Sequence, residues 1–346
     1  MKNKYYSQFP QGFAELVSKI LNLKIKGNIS LRDDYIFWES DLVPEQVSKI
    51  DFLETSFLVI NVFDKAYGIN NQLAWINKNL RAVENFINNI NIFKHASFRI
   101  VVSQVGKHSS IYNNELNKLE LKLGKTIRIE KGSPDFEIRM VEKKNYGFVG
   151  VRISKTREYI DNFQVNSVRK EIAYYMNFIS DPNKNDIFID PMCGGGIIPI
   201  LRSKMGNYKK IVACDSRMNH FIGKIKVIRK QGITIPMLEN YEIDFKNIPQ
   251  KIKFKFNKVV VDPPWGIIQK IKDINKFYRD MFKVFEQICE KGATVVILVN
   301  NEQLIRVNIT DAFEICEVYK GLVSGREASI IKLKVNKRTD ERVYLK

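Results

Sequence analysis

The sequence predicts an α/β chain in which a smaller α+β region precedes a doubly wound, mostly parallel sheet. Three observations carry that expectation. From about Ser154 onward apolar strands alternate with amphipathic helices, several of those strands end in an acid, and before Ser154 the strand-like runs alternate apolar with polar residues. Continuous apolar strands belong in a sheet covered on both faces, whereas alternating ones suit a sheet with one half-open face.

In order along the chain, Phe13, Leu16, Val17, Ile20 and Leu21 fall at the i, i+3, i+4, i+7, i+8 spacing of an amphipathic helix. Strand-like runs follow at Tyr35 to Trp38 and at Phe57 to Val62, and a second helical pattern spans Gln72 to Ile90. The stretches "SFRIVVSQ" and "DFEIRMVE" alternate as half-buried strands. Beyond Ser154, "NSVRKEIAYYMNFI" places Val168, Ile172, Tyr175, Met176 and Ile179 on one side of a helix. The strand "DIFID" comes next, then "KIVACD" before the helical "RMNHFIGKIKVIRKQG". After "VVVD" a helix carries Phe277, Met281, Val284, Phe285 and Ile288, and the strand "ATVVILV" follows it.

The 346 residues are 45% hydrophobic and 27% charged, which suits a soluble protein with more than one core. Lys and Arg number 56 against 38 Asp and Glu, a net charge of +18. Such a charge draws in polyanions, so nucleic acid is the leading partner and an anionic membrane surface the second. Cys193, Cys214, Cys289 and Cys316 form no CxxC pair, which fits a reduced, cytoplasmic chain. His95, His108 and His220 are too scattered to announce a metal site. The opening "MKNKYYSQFPQGF" lacks an apolar signal core and "TVVILV" is too short to span a bilayer, so neither secretion nor membrane insertion is expected.

The chemistry concentrates at the ends of the later strands. In "IFIDPMCGGG", Asp190 closes a strand, and Gly194, Gly195 and Gly196 let the backbone turn tightly and approach a ligand. The next strand ends at Asp215 in "IVACDSRM", where a carboxylate can accept both hydrogen bonds of a ribose diol or simply cap the following helix. Asp244 in "NYEIDFKNIP" can accept from an adenine amino group or serve as a turn residue. In "KVVVDPPWG" two prolines end the strand at Asp262 and present that acid with Trp265 at its carboxyl edge.

These elements in this order resemble the Rossmann-fold methyltransferases that use S-adenosyl-L-methionine, and "DPPW" resembles the signature of those that methylate exocyclic amino groups of bases. The resemblance implies cofactor contacts from Asp190, Met192, Cys193, Gly194 and Gly196, from Asp215 and Ser216, and from Asp244 and Phe245. It implies Asp262, Pro263 and Trp265 as the catalytic set. An exocyclic amine is a poor nucleophile because its lone pair is delocalised, and acceptors aimed at its N–H groups favour a localised pair. Asp262 and a proline carbonyl would supply those acceptors. Trp265 would stack on the target base, and core packing is its plainer alternative. The chain departs from the usual family pattern in having Gly195 and Ile197 where hydroxyl residues are common, and Trp265 where Tyr or Phe is usual.

The first half adds a substrate. "SFRIVVSQVGKHSS" with "GSPDFEIRMVEKKNYGFVGVRIS" resembles a THUMP domain, and "FPQGFAELVSKIL" resembles the opening helix of the ferredoxin-like domain that precedes it. The implied organisation is a ferredoxin-like domain at 1–50, THUMP at 51–154, and a linker with the Rossmann-fold methyltransferase domain at 155–346. The whole chain then resembles the THUMP-bearing tRNA guanine-N2 methyltransferases. That family implies a THUMP domain gripping the tRNA acceptor end, with Arg99, Lys107 and His108 as phosphate or 2′-hydroxyl contacts; the sequence leaves the oligomeric state open, with a monomer expected. Position 6 of tRNA is favoured over position 10, because "DPMCGGGIIPI" is nearer the position-6 enzymes although "DPPWG" leans the other way. The rival readings are mono- or dimethylation at position 10, a DNA adenine-N6 methyltransferase, and a non-catalytic RNA-binding protein.

Overall fold

The computed structural model describes residues 2–25, 27–64, 68–90, 97–104, 113–154, 168–230, 234–267 and 270–336. The chain divides into two compact units, Met1–Phe9 with Leu21–Tyr159 and Pro10–Ile20 with Ile160–Lys346.

The first unit is built on one eight-stranded sheet, in the order β2-β3-β1-β4-β8-β7-β5-β6. Its strands are β1 (Asn3–Gln8), β2 (Ile29–Leu31), β3 (Tyr35–Ser40), β4 (Thr55–Asp64), β5 (Ser97–Gln104), β6 (Arg128–Ile129), β7 (Phe136–Glu142) and β8 (Tyr146–Arg152). Helices α2 (Pro44–Ser48), α3 (Ile69–Lys78), α4 (Leu80–Asn88) and α5 (Asn113–Leu123) are interspersed, while α1 (Ala14–Lys24) is divided after Ile20, its first seven residues falling in the second unit. The sheet runs unbroken across residues 50 and 51, where the sequence suggested a domain division, because β1 pairs with β4 from Tyr5↔Leu58 to Gln8↔Thr55. The single helix expected over 72–90 is two helices. Asn79 breaks it with φ −110° and ψ 24°, its side-chain amide donating to the Trp75 carbonyl at 2.8 Å.

Residues 10–20, expected with the first domain, belong to the second unit. Gly12 explains part of this. With φ +87° its position tolerates no side chain, since a Cβ would stand 2.6 Å from the Gly321 Cα. The backbone N–H of Leu322 donates to the Gln11 carbonyl at 2.8 Å, and the Phe13 ring lies 5.6 Å from that of Tyr175.

The second unit holds a seven-stranded sheet in the order β11-β10-β9-β12-β13-β15-β14. The strands are β9 (Ile187–Asp190), β10 (Lys210–Asp215), β11 (Leu238–Glu242), β12 (Phe256–Val261), β13 (Cys289–Val299), β14 (Phe313–Val323) and β15 (Arg326–Val335). The helices are α6 (Lys170–Ile179), α7 (Ile197–Lys204), α8 (Asn219–Lys230), α9 (Ile248–Lys251), α10 (Ile274–Ile288) and α11 (Glu302–Asn308). Strands β11, β10, β9, β12 and β13 are parallel, and β15 and β14 close the sheet antiparallel. Burial explains the strand composition. Val259 to Val261 and Val295 to Val299 are fully buried because helices cover both faces. The strand order turns back between β9 and β12, and that crevice at the carboxyl edge is where open α/β sheets hold ligands.

Candidate active site

The first strand of the crevice delivers Asp190. The residue is fully buried, its Oδ1 accepts from the Met192 N–H at 3.2 Å, and its Oδ2 is buried without a hydrogen-bond partner among the described residues. After it the chain doubles back. Gly194 at φ +50° and Gly196 at φ +79° occupy the left-handed region, and a Cβ on Gly196 would reach within 2.2 Å of the Phe221 ring. A Cβ on Gly194 would meet nothing within 4 Å, so the turn leaves open space there. Cys193 is anchored through its N–H to the Cys214 carbonyl at 2.8 Å, and Met192 is half-buried against the core. Burial and the neighbouring acids Asp190 and Asp215 push the Cys193 thiol well up, which makes it inert.

Asp215 ends β10 beside this turn. Its Oδ2 accepts from the Gly194 N–H at 2.8 Å and its Oδ1 from the Arg217 N–H at 2.9 Å. The acid therefore ties the glycine turn to the second strand, while Ser216 beside it is exposed. Asp244 caps a short 3-10 turn, accepting from the Lys246 N–H at 2.9 Å, so the turn role is realised. Phe245 is buried, its ring edge-on to Phe277 at 5.3 Å.

Asp262 follows β12, and β12 pairs in parallel with β9 through Lys258↔Phe188 and Val259↔Ile189. Parallel pairing brings Asp190, Asp215 and Asp262 to one edge of the sheet, as the sequence predicts. Pro263 is buried beside Asp262. Trp265 does something the sequence did not foresee: its indole N–H donates to Asp262 Oδ1 at 3.1 Å. Burial pushes the Asp262 carboxyl up to about 7, and the Trp265 bond pulls it back part of the way.

Two further polar groups escaped the sequence reading. The Tyr278 hydroxyl on α10 is buried without a partner among the described residues, and burial, with Asp262 adding, pushes it up. Asn300 Oδ1, just past β13, is likewise buried and unpartnered. Asn300 had a signal, a polar residue ending the apolar run "VVILVN" beside the strand of Asp262. Tyr278 had none, because an aromatic inside an apolar helix pattern reads as core.

Electrostatics narrows the ligand. Burial raises the Asp190 carboxyl well above its ordinary value, and Asp215 and Asp262 add to the rise. Unpartnered buried carboxylate oxygens are rare and costly, so the crevice suits a ligand bringing positive charge and N–H donors and disfavours an anion. S-adenosyl-L-methionine, with its ammonium and sulfonium groups, fits that demand. Among the described residues no group of three or more His, Cys, Asp or Glu could hold a metal ion, and no helix is long and apolar enough to cross a membrane.

Of the three RNA candidates, Lys107 and His108 lie outside the described residues. Arg99 is engaged within the sheet, its Nε donating to Glu137 Oε1 at 3.0 Å and its Nη1 to the Lys131 carbonyl at 3.1 Å. Arg139 and Arg152 approach the other oxygen of Glu137 at 2.7 and 3.4 Å.

Comparison with known proteins adds to this geometry. Residues 157–328 match UPF0020, the RMKL-like methyltransferase domain. The chain is 24% identical over 186 residues to the Bos taurus tRNA (guanine(6)-N(2))-methyltransferase THUMP3, an overlap of 49% of this chain and 36% of the relative. It thus spans about a third of the length of that curated relative. The fold resembles that of TrmN from Thermus thermophilus, with a TM-score of 0.76, 14% identity, and coverage of 96% of this chain and 99% of the other. It also resembles SMU.472, a putative methyltransferase complexed with SAH, with a TM-score of 0.64, 13% identity, and coverage of 98% and 99%.

Proposed function

Because residues 157–328 belong to the RMKL-like methyltransferase domain family, we propose that this protein uses S-adenosyl-L-methionine to methylate the exocyclic N2 amino group of a guanosine in tRNA, at position 6. The observation that carries the reading is Asp190 with its buried, unpartnered Oδ2 at the edge it shares with Asp215 and Asp262. Bound there, the cofactor supplies an activated methyl group on its sulfonium.

Each acid then has a task. Asp190 receives the cofactor ammonium, and Asp215 the ribose diol. Asp244 and Phe245 border the adenine, with Gly194 and Gly196 allowing close backbone approach and Met192, Cys193 and Ser216 completing the wall. Asp262 and the Pro263 carbonyl accept the two N–H groups of the target amine, which localises its lone pair and holds it in line. The methylated nitrogen is acidic, and Asp262, poised at about 7, takes the proton or passes it to water. Trp265 offers its face to the base.

The substrate comes from the first unit in this reading. Residues 51–154 act as a THUMP module on the acceptor end of tRNA, with Arg99, Lys107 and His108 near phosphates, and the protein works as a cytoplasmic monomer. The net charge of +18 supports a polyanionic substrate, and the relative named as a tRNA (guanine(6)-N(2))-methyltransferase supports the base and position.

Incubating the full chain with labelled cofactor and either unmodified tRNA or duplex DNA, then mapping the methylated nucleoside by mass spectrometry, tests it. N2-methylguanosine at position 6 is the expected product. Label in N6-methyladenine of DNA would overturn the proposal, and label at guanosine 10 would correct the position.

A further inference from the structure

The Asp262 to Trp265 hydrogen bond is a feature that base stacking does not require. Any aromatic ring offers a flat face, but among Phe, Tyr and Trp only the indole carries a ring N–H that can donate to the carboxylate three residues before it. The connecting Pro263 and Pro264 have fixed φ, so the path between acid and indole is stiff. Gly266, at φ +76°, lets the chain turn away immediately afterwards. The result is a short, rigid loop that brings Nε1 to 3.1 Å from Oδ1. The other oxygen, Oδ2, accepts no hydrogen bond from the described residues.

We propose that Trp265 is a positioning residue: its indole N–H holds the Asp262 carboxylate through Oδ1 and leaves Oδ2 as the acceptor for the target amine. The inference rests on the reading of Asp262 as that acceptor. A bond to the ionised form of an acid favours ionisation, so Trp265 also sustains the charged acceptor at a site where burial opposes it. The ionisable groups around Asp262 are Asp190 from β9, with Asp215 beyond it on β10, and Tyr278 from α10. The neighbouring end of β13, Leu298 to Asn300, contributes none. Burial favours the neutral acid, which leaves Trp265 as the group acting in the opposite sense.

The test is Trp265→Phe, which keeps an aromatic face and removes the donor. Single-turnover methylation of tRNA should show the acid limb of the pH profile displaced to higher pH, with the rate loss largest below the limb and shrinking above it. On the acid side each pH unit of displacement lowers the rate about tenfold. A loss equal at all pH values would mean stacking alone and would overturn the proposal. Two measurements need no substrate, so they decide the bond even where tRNA is not methylated. The carbon-13 titration of the Asp262 carboxyl should move upward in the variant, and an unmoved titration counts against the bond. In the unmutated protein the indole N–H resonance of Trp265, one of three with Trp38 and Trp75, should shift with the same midpoint as Asp262. A resonance flat through that midpoint overturns the proposal whether or not the variant folds.

Discussion

Glu137 in the eight-stranded sheet and Asp190 in the seven-stranded sheet are both buried acids, 4% and 0% exposed, yet they are treated in opposite ways. Burial pushes Glu137 up, but Arg99, Arg139 and Arg152 converge on it and hold its carboxyl below the usual range. Asp190 receives one backbone N–H, keeps an unpartnered oxygen, and is held well above that range. A satisfied acid fixes a sheet, whereas an unsatisfied one waits for a ligand.

The comparison breaks first at Asp262, where the largest effect is expected. In Asp262→Ala the acceptor for the amine is gone while the glycine turn and Asp215 remain, so the single-turnover rate should fall by about 10²–10³. Cofactor and tRNA affinities on the same preparation should change little, since the lost contact matters mainly in the transition state. A near-normal rate would remove Asp262 from the mechanism.

Glu137→Gln comes next. It leaves the arginines around a neutral amide, and breaking a largely buried ion pair costs about 3 kcal/mol, somewhat less here because Arg99 is partly exposed. Denaturant unfolding reads the loss directly. Glu137 has a depressed pKa, so its contribution is present above the ordinary carboxylate range and lost as the pH falls below it, and Glu137→Gln should flatten that acid dependence.

Asp190→Asn should do the reverse in the protein without cofactor. A raised pKa means that the folded state binds more protons than the unfolded, so stability falls as the pH rises from about 3.9 towards the folded value. Removing that penalty should make the ligand-free variant more stable at neutral pH by about 1–3 kcal/mol. Calorimetric titration should show weaker cofactor binding in the same variant. Loss of stability instead would place Asp190 with Glu137 as a structural acid.

The smallest effect belongs to Asp244→Ala, which removes the side-chain cap on Lys246 and should cost about 1 kcal/mol in thermal or denaturant unfolding. A few-fold loss of cofactor affinity beyond that would assign Asp244 to the adenine as well.

Much of the second unit was legible because its signals are local. The acids at Asp190, Asp215 and Asp262 stand at strand ends written in adjacent residues, and the parallel alternation of strand and helix places such ends together. The continuity of the first sheet across residues 50 and 51 was not legible, since β1 joins β4 across more than forty residues and nothing near residue 50 records that pairing. Residues 10–20 were likewise assigned by their place in the chain. An excision of residues 1–154 would remove them with the first unit and take Gly12 and Phe13 from their partners Gly321 and Tyr175.

By itself the sequence determined the doubly wound sheet, the tight glycine turn and the identity of the acids, because periodicity and glycine chemistry act within a few residues. Tertiary structure alone decided which acids are satisfied. Nothing in the string distinguishes Glu137, ringed by arginines from three strands, from Asp190, left with an open oxygen, or shows Trp265 turning its N–H onto Asp262. Hydrogen bonding and desolvation depend on neighbours in space, and those are set only when distant strands pair.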